Sequence, residues 1–309
     1  MHVAMSTPIR LGTRSSPLAM VQARMTAAAL CAAHGWAEDR IEIVAMKASG
    51  DLIQDRALAE AGGKALWTKE LDRALIDREI DFAVHSMKDV ETIRPAEISI
   101  AALLPRADVR DRLIGAESLD AIPIGGRVGT SSPRRSAQVK RARPDVQIVL
   151  FRGNVDTRLR KLSEGEADAT LLAAAGLDRL QRLGIGVAVP IDVMLPAPAQ
   201  GAVGIEALSE RQEILDLLSP INDAPTRSAV LAERALLTAL GAGCHSPVAA
   251  HASVNDTLLS LRAEILSSDG SESVAGETVL LAIDDGAPAA LARDLLSRAT
   301  PELRSLFQP

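Results

Sequence analysis

Cys244 is one of two cysteines in the chain, within Leu240-Gly241-Ala242-Gly243-Cys244-His245-Ser246-Pro247. The glycines before it and the proline after Ser246 mark a loop, from which a thiol can reach beyond its own domain. Taken alone, such a thiol is a small packing group, since free cysteine is among the most buried residue types. A second candidate is His85-Ser86-Met87-Lys88-Asp89, directly after the apolar Phe82-Ala83-Val84. A carboxylate beside a fixed ammonium can move a proton or stabilise a developing cation, although a Lys-Asp pair also ends many strands without chemistry. His85 reads as a buried, partnered histidine and not as a catalyst. The third set is Arg14, Arg134, Arg135, Arg152 and Arg158, all at predicted strand ends or first helical turns. That is not the spacing of a solvated helix face. Guanidiniums grip carboxylates with paired donors, so five of them brought together would suit a small ligand with several carboxylates.

The charge distribution points the same way. Residues 127–161 hold eight Arg and two Lys against Asp145 and Asp156, net +8, in a 309-residue chain of net charge −6. Of its 34 basic residues, 28 are Arg. A local Arg-rich segment in an acidic protein suits a specific small polyanion. The overall charge, with two Trp, three Phe and no Tyr, argues against nucleic acid and its stacking platforms. Closely spaced Cys/His clusters are absent, so no structural metal is expected. A hydrophobic share of 47% indicates a globular chain. No apolar run reaches membrane-spanning length, and residues 1–12 do not read as an export signal. Two cysteines form no disulfide framework, which fits a reducing cytoplasm.

The elements that must carry these residues follow from periodicity and caps. A strand is predicted over 8–13, then Ser16 as N-cap, Pro17 at the first helical position and a helix to about 34. A strand over 41–46 completes a βαβ unit with parallel strands. Residues 48–66, with Ser49-Gly50-Asp51 and Ala61-Gly62-Gly63-Lys64, are too long for an ordinary connection and read as a lid or binding loop. A helix over 67–78 has Thr68 as candidate cap, and a strand over 81–85 delivers His85. After a proline-bearing boundary near 102–111 comes a second α/β run. Its strands are 127–130, 146–151 and 169–173, and its helices begin at Ser132-Pro133, near Asp156 or Thr157, and around 177. The proline-rich 195–202 returns the chain to the first lobe, where 203–207 adds a strand. A helix over 226–240 stops at Gly241 and delivers Cys244. Strands over 258–266 and 274–283 and a helix over 288–298 form the tail. Gly12-Thr13-Arg14-Ser15-Ser16-Pro17 and Gly129-Thr130-Ser131-Ser132-Pro133 echo each other, and each feeds a strand into a capped helix start, where anions are favoured. The expected fold is α/β: two similar doubly wound lobes and a small C-terminal α/β domain with an antiparallel sheet. Its domains are 1–103 joined by 201–220, then 104–200, then 221–309 with Cys244.

Several strings occur in the order found in one enzyme family: Thr13-Arg14-Ser15-Ser16-Pro17-Leu18-Ala19, Gly62-Gly63-Lys64, His85-Ser86-Met87-Lys88-Asp89-Val90, Val128-Gly129-Thr130-Ser131-Ser132, Arg152-Gly153-Asn154-Val155, Thr157-Arg158-Leu159 and Gln200-Gly201-Ala202. From about residue 9 to 247 the chain resembles the porphobilinogen deaminase, or hydroxymethylbilane synthase, family. The resemblance implies joining of four porphobilinogen molecules head to tail into hydroxymethylbilane, with release of ammonia, in tetrapyrrole biosynthesis. It implies a dipyrromethane cofactor held as a thioether by Cys244. It implies Asp89, beside Lys88, as the carboxylate that assists ammonia loss and steadies positive pyrrole intermediates. Lys88, Thr130, Ser132, Arg134, Arg135, Arg152 and Arg158 match residues that hold the cofactor's acetate and propionate groups. Arg14, Ser16 and Arg179 match residues tied to substrate and the growing chain, to which Arg152, Arg158 and Gln200 are added as substrate-binding. The implied molecule is a cytoplasmic monomer whose lobes are built like type II periplasmic binding proteins.

The chemistry of the residues fits such a substrate. Each pyrrole brings two carboxylates, which accounts for many arginines, and a cation-forming step accounts for a carboxylate among them. There are departures from the family pattern: Glu91 where proline is usual, Ala65 for Gly, Trp67 for Phe, Val109 for Pro, Pro133 for Leu, Ala199 and Ala242 for Gly, and His245-Ser246 for Gln-Val. None removes a matched functional residue. Two other readings remain. A two-lobed anion-binding protein without catalysis would need neither Cys244 nor a third domain. A thiol hydrolase using Cys244 and His245 would need an oriented pair, which neighbours on an irregular loop do not supply.

Overall fold

The structure, a computed structural model, describes residues 8–47, 68–243, 245–281 and 286–307. The loop expected over 48–66, Trp67 and Cys244 lie outside the described residues. In chain order the strands are β1 (Ile9–Arg14), β2 (Ile41–Met46), β3 (Phe82–Ser86), β4 (Ile98–Leu103), β5 (Asp111–Ile114), β6 (Arg127–Thr130), β7 (Gln147–Leu150), β8 (Ala169–Ala173), β9 (Val187–Ala188), β10 (Val203–Leu208), β11 (Val248–Asn255), β12 (Leu258–Leu266) and β13 (Ser273–Leu281). The α-helices are α1 (Pro17–His34), α2 (Lys69–Ile76), α3 (Pro133–Ala142), α4 (Val155–Ser163), α5 (Ala174–Arg179), α6 (Gln212–Leu218), α7 (Ala224–Ala239), α8 (Gly286–Arg298) and α9 (Pro301–Ser305). The described residues divide into two compact units, one of 8–47, 68–106 and 202–227, the other of 107–201, 228–243, 245–281 and 286–307.

The first unit is built on the sheet β2-β1-β3-β10-β4. β1 is parallel to β2 and β3, whereas β10 runs antiparallel between β3 and β4. Helix α1 starts as its sequence dictates: Ser16 Oγ accepts the Ala19 N–H at 3.4 Å, and Pro17 fills the first turn. It ends at Gly35, whose φ of 67° places it in the left-handed region. Ala23 and Leu30 from its inner face join Leu11, Phe82, Val84 and Ile205 in one core. Leu71, Ala74 and Leu75 of α2 join Ile80, Ala83 and Leu208 in another. With apolar partners on both faces, all six residues of β10 are buried.

The second unit holds the sheet β7-β6-β8-β5-β9 and the antiparallel sheet β11-β12-β13. In the five-stranded sheet β6 is parallel to β7 and β8, and β5 is antiparallel to β8. Both five-stranded sheets therefore run second, first, third, then an antiparallel strand that the chain inserts from elsewhere. The two echoing motifs occupy equivalent places, each ending the first strand of its sheet and capping the helix that follows. Leu236, Leu240, Leu261, Ile265, Leu295 and Phe307 form the core beneath the three-stranded sheet.

The expected parallel units, the return at 203–207 and the antiparallel tail are all present. The region expected as a plain boundary near 102–111 is flanked by β4 and β5, and β11, α6 and α9 are further elements that periodicity did not mark. Val248–Asn255 carries three alanines and a histidine, a weak strand signal that becomes a strand through eight paired positions with β12. Thr68 stands before α2, but its side chain makes no cap bond. Its hydroxyl instead donates to Glu91 Oε2 at 2.8 Å.

Candidate active site

In the first unit, Arg14, Ser16, Gln22, Thr68, His85, Ser86 and Asp89 line one hollow of about 400 Å³, counting space open to solvent. Arg14 is the last residue of β1, Ser16 caps α1, and Asp89 ends a short 3-10 turn, Met87–Asp89, directly after β3. The carboxyl ends of parallel strands and a helix start thus meet here, where α/β sheets place ligands. The walls are held by their own bonds. Gln22 Nε2 donates to Ser86 Oγ at 2.8 Å, and the Met87 N–H donates to Ala202 O at 3.1 Å. Beneath the motif, a Cβ on Gly12 would press on the flexible tip of the Ile80 side chain.

Four residues before Asp89, His85 Nε2 lies 3.2 Å from Oε2 of Glu206, a fully buried carboxylate on β10. Burial raises the Glu206 carboxyl, but contact with His85 and the Arg94 charge outweigh it and hold it at about 2. Glu206 is therefore ionised near neutrality, and its partners are what make a carboxylate tolerable in a central strand.

In the second unit the corresponding motif is occupied differently. Ser132 Oγ accepts the Arg135 N–H at 3.4 Å, and the Ser132 N–H donates to Thr130 Oγ1 at 3.2 Å. Gly129 is fixed by contact: an added Cβ would meet the Phe151 ring at 2.4 Å. Phe151 precedes Arg152, which is itself largely buried. Arg134 and Arg135 are buried against one carboxylate, Asp111 at the start of β5. Burial raises the Asp111 carboxyl, and the two guanidinium charges outweigh this and hold it well below the usual range. Gln200, also fully buried, donates to Asp111 Oδ1 at 2.9 Å and to Val109 O at 2.7 Å. Among the described residues Arg134 Nε has no hydrogen-bond partner, and neither has Arg179 Nε, whose Nη2 donates to Gly201 O at 2.7 Å. Burial pushes the Arg179 guanidinium below its ordinary value, with Asp178 opposing. Arg158 bonds Gly153 O at 3.0 Å and Ser131 Oγ at 3.4 Å.

The segment around Cys244 is also in this unit. The Gly243 N–H donates to Ser246 Oγ at 3.2 Å, and the Ser246 N–H donates to Gly243 O at 3.0 Å. His245 is pushed below the ordinary imidazole value by burial and by the Arg152 charge.

Arg14, Ser16 and Asp89 are thus brought to one hollow, with Lys88 beside Asp89 on the turn. Arg134, Arg135 and Gln200 are gathered on one carboxylate, next to Ser132 and Thr130. Asp111 and Glu206 were missed from sequence. A lone acid in Val203-Gly204-Ile205-Glu206-Ala207-Leu208 was the available signal, because a charge in a buried strand needs a partner. Asp111 sits in a charged run, Arg106 to Asp111, that hides it. Chemically, the hollow of the first unit holds a guanidinium and a carboxylate, and the second unit by itself holds a group of buried guanidiniums.

Solved structures with a similar chain course include the periplasmic VFT2 domain of BvgS from Bordetella pertussis, at 14% identity over 69% of this chain and 86% of that one, TM-score 0.40. Another is a putative periplasmic sulfonate-binding protein of Methylobacillus flagellatus, at 13% identity over 74% and 67% of the two chains, TM-score 0.40. Two family models match: "Porphobilinogen deaminase, dipyromethane cofactor binding domain" over residues 9–216 and "Porphobilinogen deaminase, C-terminal domain" over 228–295. The porphobilinogen deaminase of Sphingopyxis alaskensis is 57% identical over 97% of this chain and 96% of its own length, and that of Paracoccus denitrificans is 48% identical over 94% and 95%. Matched from one end to nearly the other, the chain belongs to the porphobilinogen deaminase family.

Proposed function

We propose that this enzyme, which condenses four porphobilinogen molecules into hydroxymethylbilane with release of ammonia, works with Asp89 as its reacting carboxylate and Cys244 as the thioether anchor of its dipyrromethane. The observation that carries this reading is Asp89 at the end of the turn that follows β3, in one hollow with Arg14 and Ser16. Loss of ammonia from porphobilinogen leaves positive charge on the methylene carbon. The aminomethyl group leaves as ammonia from its protonated form, and a fixed carboxylate can accept a hydrogen bond from that ammonium and then face the charge left on the carbon.

The residues suit the cofactor. Its acetate and propionate groups need cations with donors to spare, and Arg134 offers an Nε that has no protein partner among the described residues. Lys88, Thr130, Ser132, Arg134, Arg135, Arg152 and Arg158 would hold those groups. Arg14, Ser16, Arg179, Arg152, Arg158 and Gln200 would serve incoming substrate and the growing chain. When bound, the cofactor supplies a primer pyrrole to which the first substrate is joined. We also read the chain as three domains, and as a cytoplasmic monomer without membrane or nucleic-acid partners; no described helix is long and apolar enough to cross a membrane.

Intact mass of protein made in a porphobilinogen-producing cell tests the anchor. A two-pyrrole adduct is expected on wild type and none on Cys244→Ala; an adduct that persists in the variant refutes it. Asp89→Asn should keep its fold and adduct but stall ammonia release, and near-normal release would remove Asp89 from the reaction.

A further inference from the structure

Arg94 meets three carboxylates at once. Its Nε and Nη2 donate to the two oxygens of Glu206 at 2.9 Å each. Its Nη1 donates to Glu91 Oε2 at 2.9 Å, to Asp72 Oδ2 at 3.1 Å and to Thr68 Oγ1 at 3.2 Å, and its Nη2 also pairs with Asp72 Oδ1. The side chain is only 8% exposed. Burial disfavours the charge, but Asp72 and Glu206 outweigh it and hold the guanidinium above its ordinary value.

The geometry around Asp89 gives this cluster a purpose. Glu206 is contacted by His85, four residues before Asp89, and by Arg94, five residues after it. Strand β10 therefore clasps the chain on both sides of the Met87–Asp89 turn. On the near side the β3–β10 ladder fixes His85 and Ser86. On the far side the Val90 N–H returns to Met87 O at 3.2 Å, and the next residue, Glu91, is pinned by Arg94 and Thr68. Thr68 and His85, both in contact with the cluster, also line the hollow with Asp89. Only a planar fork with donors in two directions can bridge Glu206 and Asp72 while holding Glu91; an ammonium presents its donors from one point.

We propose that Arg94, acting through Glu91 and Glu206, is a positioning residue that fixes where the Asp89 carboxylate stands. This rests on the reading of Asp89 as the reacting group. Its effect belongs on the chemical step, because a displaced carboxylate still leaves Arg14 and Ser16 to bind substrate. Val90 has an extended backbone, φ −88° and ψ 132°, which a following proline tolerates. A proline ring at position 91 would stiffen the same point without an ion pair.

The test uses cofactor-loaded enzyme and steady-state ammonia release per folded molecule, with thermal midpoints measured alongside. Glu91→Ala, at a part-exposed position, is expected to lower kcat about tenfold with KM within about twofold, and Glu91→Pro to restore most of it. Arg94→Lys, which keeps the charge but not the fork, should lower kcat at least as much. A Glu91→Ala enzyme within about twofold of wild-type kcat, or a Glu91→Pro enzyme no better than Glu91→Ala, overturns the proposal. Asp89→Asn separates the layers: if it turns over normally, the reading beneath fails, and if it stalls while Glu91→Ala does not, only the positioning role fails.

Discussion

Asp111 and Arg135 meet side-on inside the second unit, with Oδ1 accepting from Nη2 at 2.7 Å and from Nε at 3.2 Å. The other oxygen lies 2.8 Å from Arg134 Nη1. Two arginines matched to cofactor binding are thus assembled by a carboxylate of the protein itself. Asp111→Ala would leave two buried guanidiniums without their counter-charge, a loss of about 3–5 kcal/mol. The expected outcome is a clear fall in the urea midpoint, together with poor cofactor loading by intact mass. An unchanged midpoint would show that the pair is not what orders this site.

Glu206 makes acid stability readable. Its folded carboxyl stands at about 2 against an ordinary 4.5. The unfolded chain therefore takes up this proton at higher pH than the folded one. The stability it contributes, on the order of 3 kcal/mol, is complete above 4.5 and is lost as pH falls toward 2. Urea midpoints followed across that window should fall more steeply for wild type than for Glu206→Gln. Parallel slopes would contradict the assignment.

Gly129 tests the packing under the second motif. A methyl there meets the face of Phe151, a rigid ring with no free end to swing aside. Gly129→Ala should destabilise by about 1–3 kcal/mol and, by displacing Phe151 and with it Arg152, raise KM for porphobilinogen. Differential scanning calorimetry and steady-state kinetics read the two effects separately.

Ser132 has two roles that substitutions can divide. Ser132→Ala removes the cap on α3 and should cost about 1 kcal/mol. Ser132→Asp keeps a capping oxygen and adds charge at a helix start, so stability should hold. The same charge stands where a ligand carboxylate is expected, so loading and turnover should fall. Full activity in Ser132→Asp would confine Ser132 to capping.

Much of this was legible in the chain. Ser16-Pro17 and Ser132-Pro133 announced two helix starts by cap chemistry, and the apolar run before His85 announced β3. What was not legible is the material that depends on distant partners. Nothing near Glu206 in sequence indicates that Arg94 will neutralise it and that His85 will contact it. Thr68 looked like a cap because caps are judged locally, whereas its hydroxyl is taken by Glu91, twenty-three residues on. Arg134 and Arg135 were legible as part of an anion-binding set, but Asp111, which holds them, lies at the end of a stretch read only as a proline-bearing boundary.

The position of β10 has a consequence for how the protein is made. Its partners β3 and β4 emerge from the ribosome about one hundred residues before it does, and until then the middle of their sheet is missing. Long-range closure of this kind is slow and leaves unpaired strand edges exposed meanwhile. Glu206 arrives on that last strand, so the carboxylate that contacts both Arg94 and His85 is missing before it docks. A nascent or truncated chain that stops short of residue 203 therefore carries every residue of the Asp89 turn but not the strand that holds it in place. Such a chain would also lack Cys244, which follows β10 in sequence.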